Sequence, residues 1–77
     1  MKYKYIFGRL GKEIARIRKE RKLSQEELAF DCHLDRTTVA EVEEGKTNPS
    51  LKVLLKISSG LDTPLWRIIK YSQSLIK

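Results

Sequence analysis

The stretch from Ser24 to Gly45 constrains this chain more than any other, because it carries start and stop signals for two short helices in immediate succession. Ser24 with Glu27 makes a capping box: the Ser hydroxyl accepts from the third amide of the helix and the Glu carboxylate reaches back. A helix is therefore predicted to begin at Gln25. Leu28, Ala29 and Cys32 then share one of its faces. Asp35 is a second N-cap candidate, ahead of a helix whose Val39, Val42 and Glu43 are expected to turn inward. Gly45 stands where a left-handed residue would end it. The stretch predicts a helix, a tight turn and a helix.

The flanking segments also carry helical periodicity. From Phe7 to about Arg21, Phe7, Leu10, Ile14 and Ile17 recur at three- and four-residue steps, which predicts an amphipathic helix with Arg9, Lys12, Arg16 and Lys19 on its wet side. Gly8 and Gly11 weaken its first turns. Leu23 is expected as an apolar staple against the second helix. Beyond Gly45, Asn48 before Pro49 is pushed out of the helical region, and Ser50 is placed to cap the next helix. This fourth helix is predicted from Leu51 to about Gly60, with Leu51, Leu54, Leu55, Ser58 and Leu61 inward. Asp62-Thr63-Pro64 restarts the chain, with Thr63 or Asp62 as cap and Pro64 at the first position of a fifth helix that reaches Leu75. Leu65, Ile68 and Ser72 are expected to face the core, while Trp66, Ile69, Tyr71 and Ile76 are more apolar than a small monomer's surface requires and read as a dimer contact. The expectation is an all-α chain, one domain over residues 1–77, with 1–6 as a lead-in and 64–76 as the C-terminal helix.

Seventy-seven residues suit a single core that is marginal as a monomer, a weakness that homodimer formation relieves. A lone Cys excludes an internal disulfide, and no secretory, lipidation or transmembrane pattern appears, so the chain reads as cytoplasmic with no membrane partner. Cys32 and His33 are adjacent, which is poor geometry for a nucleophile and its base. There is no metal-ligand spacing, Gly-rich phosphate loop or pair of catalytic carboxylates, so no enzyme, metal, cofactor or small-molecule ligand is expected. Cys32 reads as a small apolar core residue.

The net charge of +6 suits a polyanionic partner, but it is unevenly spread. Residues 1–22 hold nine Lys or Arg against Glu13 and Glu20, a net +7; residues 23–44 set only Arg36 against seven carboxylates, a net −6; the remainder is +5. The central stretch is itself acidic. Gln25, Arg36, Lys46 and the helix N-termini must then present a positive face while Glu26, Glu27, Asp31 and Glu44 point elsewhere. Met1 to Ile6 alternates basic and aromatic residues, which reads either as a lead-in packed on the domain edge or as a basic arm along phosphates.

Ala29 is small enough for two crossing helices to approach closely, and Leu34, Val39 and Val42 would fill the angle between them. With Ser24-Gln25-Glu26-Glu27-Leu28-Ala29, and with Glu43-Glu44-Gly45-Lys46 followed by Pro49-Ser50-Leu51, the chain from about Leu10 to Ile69 resembles the helix-turn-helix of the phage-repressor and Cro family, also called the xenobiotic-response-element-like family. The resemblance implies a compact five-helix, lambda-repressor-like fold with the motif formed by its second and third helices. One departure stands out: the family usually carries Gly in the turn where this chain has His33. His is among the residues that tolerate a left-handed backbone, so positive φ is predicted there. The resemblance also implies a buried structural ion pair between Arg18 and Glu43.

On DNA, the resemblance implies that the third helix lies in the major groove, with Asp35, Arg36, Thr37 and Glu41 as candidates for base edges. Arg36 leads, because a guanidinium donates twice to guanine O6 and N7. Asp35 reads more readily as a cap than as a reader; Glu41 either accepts from cytosine or orients Arg36. Gln25, Lys46, Thr47, Asn48, Ser50 and Lys52 are the phosphate candidates. Two copies on a two-fold axis would hold their recognition helices about 34 Å apart over an inverted repeat. The chain resembles controller proteins of restriction-modification systems, small phage-type repressors and some antitoxins, and its length and C-terminal dimer helix favour the controller. A protein-interaction module that keeps the shape and docks a partner through the fifth helix is the rival class, kept open by the acidic motif.

Overall fold

Every connection between helices in this protein closes with the same pair of backbone bonds. The computed structural model describes the backbone of residues 3–74 and the side chains of residues 5–72. Five helices run in order: α1 Tyr3–Glu20, α2 Gln25–Cys32, α3 Arg36–Glu44, α4 Leu51–Gly60 and α5 Leu65–Ser74. After α1, α2, α3 and α4 one residue turns left-handed: Lys22, His33, Gly45 and Asp62, with φ of 59°, 58°, 71° and 51°. At each, the left-handed residue donates to a carbonyl three back and its successor to one five back, as in Lys22 to Lys19 and Leu23 to Arg18, or His33 to Phe30 and Leu34 to Ala29. These are Schellman closures, which satisfy carbonyls the helix end leaves open. Positive φ at His33 agrees with the sequence. Lys22 and Asp62 do the same work in turns where no glycine marks it.

The starts of the helices divide. Ser24 and Glu27 form the complete capping box, and Ser50 accepts from the Val53 amide at 3.1 Å. Asp35 occupies the N-cap position of α3 with extended backbone, yet its carboxylate makes no capping bond. Thr63 does not cap α5 either: its hydroxyl donates to the Leu61 carbonyl, and Asp62 is spent on the left-handed turn.

Leu10, Ile14 and Ile17 of α1 meet Leu28, Ala29 and Cys32 of α2, Val39 and Val42 of α3, Ile57 and Leu61 around α4, and Ile68 of α5 in one core, with Leu23 and Leu34 packed on it. α1 lies against α3 and α5, and α2 against α3 and α4. Helix α1 begins at Tyr3, so Tyr3 to Ile6 form its first turn rather than a separate lead-in, while Met1, Lys2, Leu75 and Ile76 fall outside the described residues. The inward face of α4 also differs from expectation. Ile57, Ser58 and Leu61 are buried, but Leu51 and Leu55 are 66% and 50% exposed. A helix apolar on most sides fits more than one three-and-four register, and packing against α2 selects the one that includes Ile57.

Gly11 is a packing residue rather than a weak point. A Cβ there would collide with the carbonyl oxygens of Val42 and Glu43, so its absence sets how closely α1 crosses α3. Gly45 needs its left-handed backbone and also sits against the Gly8 backbone. Cys32 packs beside Gly60, and burial pushes its thiol above the usual range, consistent with an inert core residue. Gly11→Ala is expected to lower stability by about 1–3 kcal/mol through overpacking. Gly8→Ala, whose Cβ meets nothing within 4 Å, should raise it by about 0.5–1 kcal/mol through helix propensity. Urea unfolding of both variants checks the pair, and similar shifts would contradict the close crossing.

Candidate nucleic-acid interface

Where α1 ends, α2 begins and α3 finishes, three chain segments meet on one carboxylate. The Arg18 guanidinium donates from Nε to Glu43 Oε2 at 2.6 Å and from Nη2 to Glu43 Oε1 at 3.0 Å. Its Nη1 donates to the Leu23 carbonyl at 2.8 Å. Gln25 adds a fourth bond, from its side-chain amide to Glu43 Oε1 at 2.9 Å. The pair is secluded, with the side chains 11% and 6% exposed. The hydrogen bonds it donates to Glu43 hold Arg18 above its already high pKa, against the opposing effect of burial, so it remains cationic. This fixes α3 against α1 and the entrance to α2.

With its rear so held, α3 turns its N-terminal end outward. Val39 and Val42 are buried, while Asp35, Arg36, Thr37 and Glu41 are all exposed. None of these four side chains has a hydrogen bond or ion pair among the described residues, so their polar heads are unspent. Thr37 and Glu41, four apart, lie on the same side of the helix. Glu41 is five residues past Arg36, about 140° round the axis, and does not bond to it, which leaves no support for Glu41 orienting Arg36. Ala40, half-buried on the same outward side, is absent from the sequence-based candidates; its spacing one turn after Thr37 is the available signal.

The phosphate candidates fall into two groups. Gln25 stands at the first position of α2, half-buried and bonded to Glu43. Lys46, Thr47, Asn48, Ser50 and Lys52 follow α3 into the start of α4. There Ser50 Oγ is occupied as a cap, and Lys46 lies 3.5 Å from Glu44 in an exposed pair. The acidic stretch is thus partly neutralised: Glu43 by Arg18, Glu44 by Lys46, and Glu27 by the end of its own helix. Glu26 and Asp31 remain exposed with Phe30 on the side of α2 opposite its buried Leu28, Ala29 and Cys32.

Of the four side chains expected at a dimer contact, Ile76 lies outside the described residues and the other three are not brought together. Trp66 and Ile69 share one flank of α5, but Tyr71 lies about 140° round from Trp66. It lines a groove with Glu13, Arg16, Ile17, Glu20, Arg21, Thr63 and Arg67, between α1 and α5. That groove contains a second feature that the sequence does not announce: Glu13 is buried and held by a two-bond contact from Arg16.

A short capped helix, a left-handed turn and a second helix presenting unpaired side chains from its N-terminal half define a helix-turn-helix DNA-binding protein. Comparison with known proteins places the chain there: a Helix-turn-helix family model matches residues 14–65, and the chain belongs to that family. It is similar to the Control protein C.MunI of a Mycoplasma species, 47% identical over 58 residues covering 74% of this chain and 78% of that protein. It is also similar to the Immunity repressor protein of Bacillus phage phi105, 38% identical over 68 residues covering 88% of this chain. The match spans 46% of the phage protein's length. Among solved structures, the restriction-modification controller protein C.AhdI from Aeromonas hydrophila superposes with a TM-score of 0.79 at 37% identity, covering 80% of this chain and 94% of that one.

Removing Arg18 alone leaves the Glu43 charge buried without its partner. Arg18→Met is therefore expected to cost about 3–5 kcal/mol, whereas the double variant R18M/E43M, which replaces both charges by apolar chains, should be near neutral. Denaturant unfolding measures both, and a loss below about 1 kcal/mol for Arg18→Met would show a pair no stronger than one in solvent.

Proposed function

We propose that this protein is a sequence-specific transcriptional regulator that binds an inverted-repeat operator in double-stranded DNA as a homodimer, acting in the cytoplasm as the controller of a restriction-modification system. The observation that carries this reading is the exposed, unpaired N-terminal end of α3, with Arg36 and Thr37, on a helix held from behind by the Arg18–Glu43 pair. In this reading Arg36 donates to guanine, Thr37 meets a thymine methyl or a base acceptor, and Asp35 or Glu41 accepts from cytosine. Gln25, Lys46, Thr47, Asn48, Ser50 and Lys52 hold the backbone on either side. The controller role is supported by likeness to C.MunI and C.AhdI; a phage-type repressor, supported by the phi105 protein, and an antitoxin would use the same interface.

The homodimer is supported by apolar surface. Trp66 is 66% exposed and Ile69 37%, and Leu51 and Leu55 leave two more apolar side chains in water on α4. Tyr71 sits on the other flank and makes a separate, weaker case. A specific observation also favours docking of a protein partner: Phe30 is 82% exposed on α2 amid Glu26, Glu27 and Asp31.

Titration of labelled duplex from upstream of the protein's own gene, beside scrambled duplex and across a salt series, tests the DNA reading. A preference of at least about 10³ with a steep salt slope is expected. Arg36→Ala should remove about 1–3 kcal/mol of that discrimination. Equal weak binding to both duplexes, unchanged by Arg36→Ala, would turn the reading towards a protein partner. Trp66→Glu, at an exposed position, should leave the fold intact and shift sedimentation equilibrium towards monomer; an unchanged mass would remove α5 from the dimer contact.

A further inference from the structure

We propose that Glu43 is a positioning residue for DNA binding, holding the Gln25 amide in the one orientation that offers its free N–H to a phosphate. The proposal rests on the DNA-binding reading above and assigns the Arg18–Glu43 pair a part in it beyond joining helices.

A glutamine amide has two faces of nearly equal shape, a donor NH2 and an acceptor oxygen, and on a surface it rotates between them. A phosphate accepts hydrogen bonds only, so half of those orientations present oxygen to oxygen. Glu43 removes the ambiguity. An ionised carboxylate has no proton to give, so the atom that meets its Oε1 at 2.9 Å is the Gln25 nitrogen. One amide hydrogen is consumed there and the second remains. Its residue holds the first position of α2, where the backbone amides of Gln25 and Glu26 have no acceptor within their own helix. The three N–H groups favour an anion at this helix end.

A carboxylate beside a phosphate would ordinarily repel it. Here the Glu43 charge is matched by the Arg18 guanidinium through two bonds, and the side chain is 6% exposed. Arg18 also grips the Leu23 carbonyl, two residues before Gln25, so the cation that neutralises Glu43 sets the start of α2 as well. The acceptor is thereby fixed on the same frame as the helix whose donor it orients.

The test must separate positioning from folding. R18M/E43M removes the acceptor while filling its site with apolar chains, and its folded state is checked by circular dichroism before DNA is added. Binding is measured on upstream and scrambled duplex across a salt series for the wild type, Q25A, R18M/E43M and the triple variant. Q25A is expected to weaken both duplexes by about tenfold, the value of one hydrogen bond to a charged group. Because a neutral amide releases no counterion, its salt slope should stay at the wild-type value, which separates this loss from that of a cationic phosphate contact. R18M/E43M should show a comparable loss, and the triple variant should be no weaker than Q25A. Wild-type affinity in R18M/E43M, or a triple variant whose loss is the product of the other two, overturns the proposal. Wild-type affinity in Q25A overturns it while the wild type's preference for upstream duplex keeps the DNA reading; no preference in the wild type removes both. A second readout needs no variant: in the side-chain amide spectrum of the wild type, one Gln25 proton should be displaced by Glu43 and the other should move on adding DNA. Two Gln25 protons at the shifts of a fully solvated glutamine, neither moved by DNA, would overturn the proposal.

Discussion

The fold turns on a buried arginine and carboxylate joined by two hydrogen bonds, Arg18 to Glu43. Such a pair contributes little net stability, because taking both charges out of water costs about what their attraction returns. Its value lies in geometry. An apolar contact between α1 and α3 would tolerate sliding by part of a turn, whereas a guanidinium fork meets a carboxylate in one plane and at one height. Gly11 sets the approach of the same two helices from the other side, since only a residue without a Cβ clears the Val42 and Glu43 carbonyls. Charge fixes the height of α3, and missing volume fixes its depth.

The core and its surroundings are built from local signals. Each helix end is finished by its own backbone bonds, so the turns demand little from distant parts of the chain. The apolar faces of α1, α2 and α3 meet around Leu28, Val39 and Ile14, all essentially sealed from solvent. What is left outside is polar on the N-terminal end of α3, whereas Leu51 and Leu55 of α4 and Trp66 and Ile69 of α5 keep apolar side chains in water.

Much of this is legible in the sequence because it depends on short-range chemistry. Ser24 and Glu27 form a box whose geometry is complete within four residues, and the left-handed turn at His33 is expected because the family it resembles carries Gly there and His tolerates that backbone. Three features are not legible, for separate reasons. The inward stripe of α4 excludes Leu51 and Leu55, because in a helix with apolar residues on most sides the register is chosen by the neighbour. Asp35 reaches its capping position without making the bond, since a side-chain rotamer is not dictated by a position in the chain. Gly11 looks like a weakness in the sequence because its partner atoms, two carbonyls about thirty residues away along the chain, are visible only once α1 and α3 have met. The expected base contacts from Asp35 to Glu41 are all outward and unpaired, while Tyr71 is grouped with Trp66 by composition and separated from it by the helical repeat.

The backbone closure at His33 has a further consequence. The angle between α2 and α3 is set by two main-chain bonds, His33 to Phe30 and Leu34 to Ala29, and by a φ of 58°. None of these involves a side chain from Asp35 onward. Arg36, Thr37 and Glu41, the proposed base readers, can therefore be substituted with little disturbance to the hinge that aims their helix. If those residues read bases as proposed, such a domain is suited to diversification: surface substitution alone changes what is read, while the frame is kept.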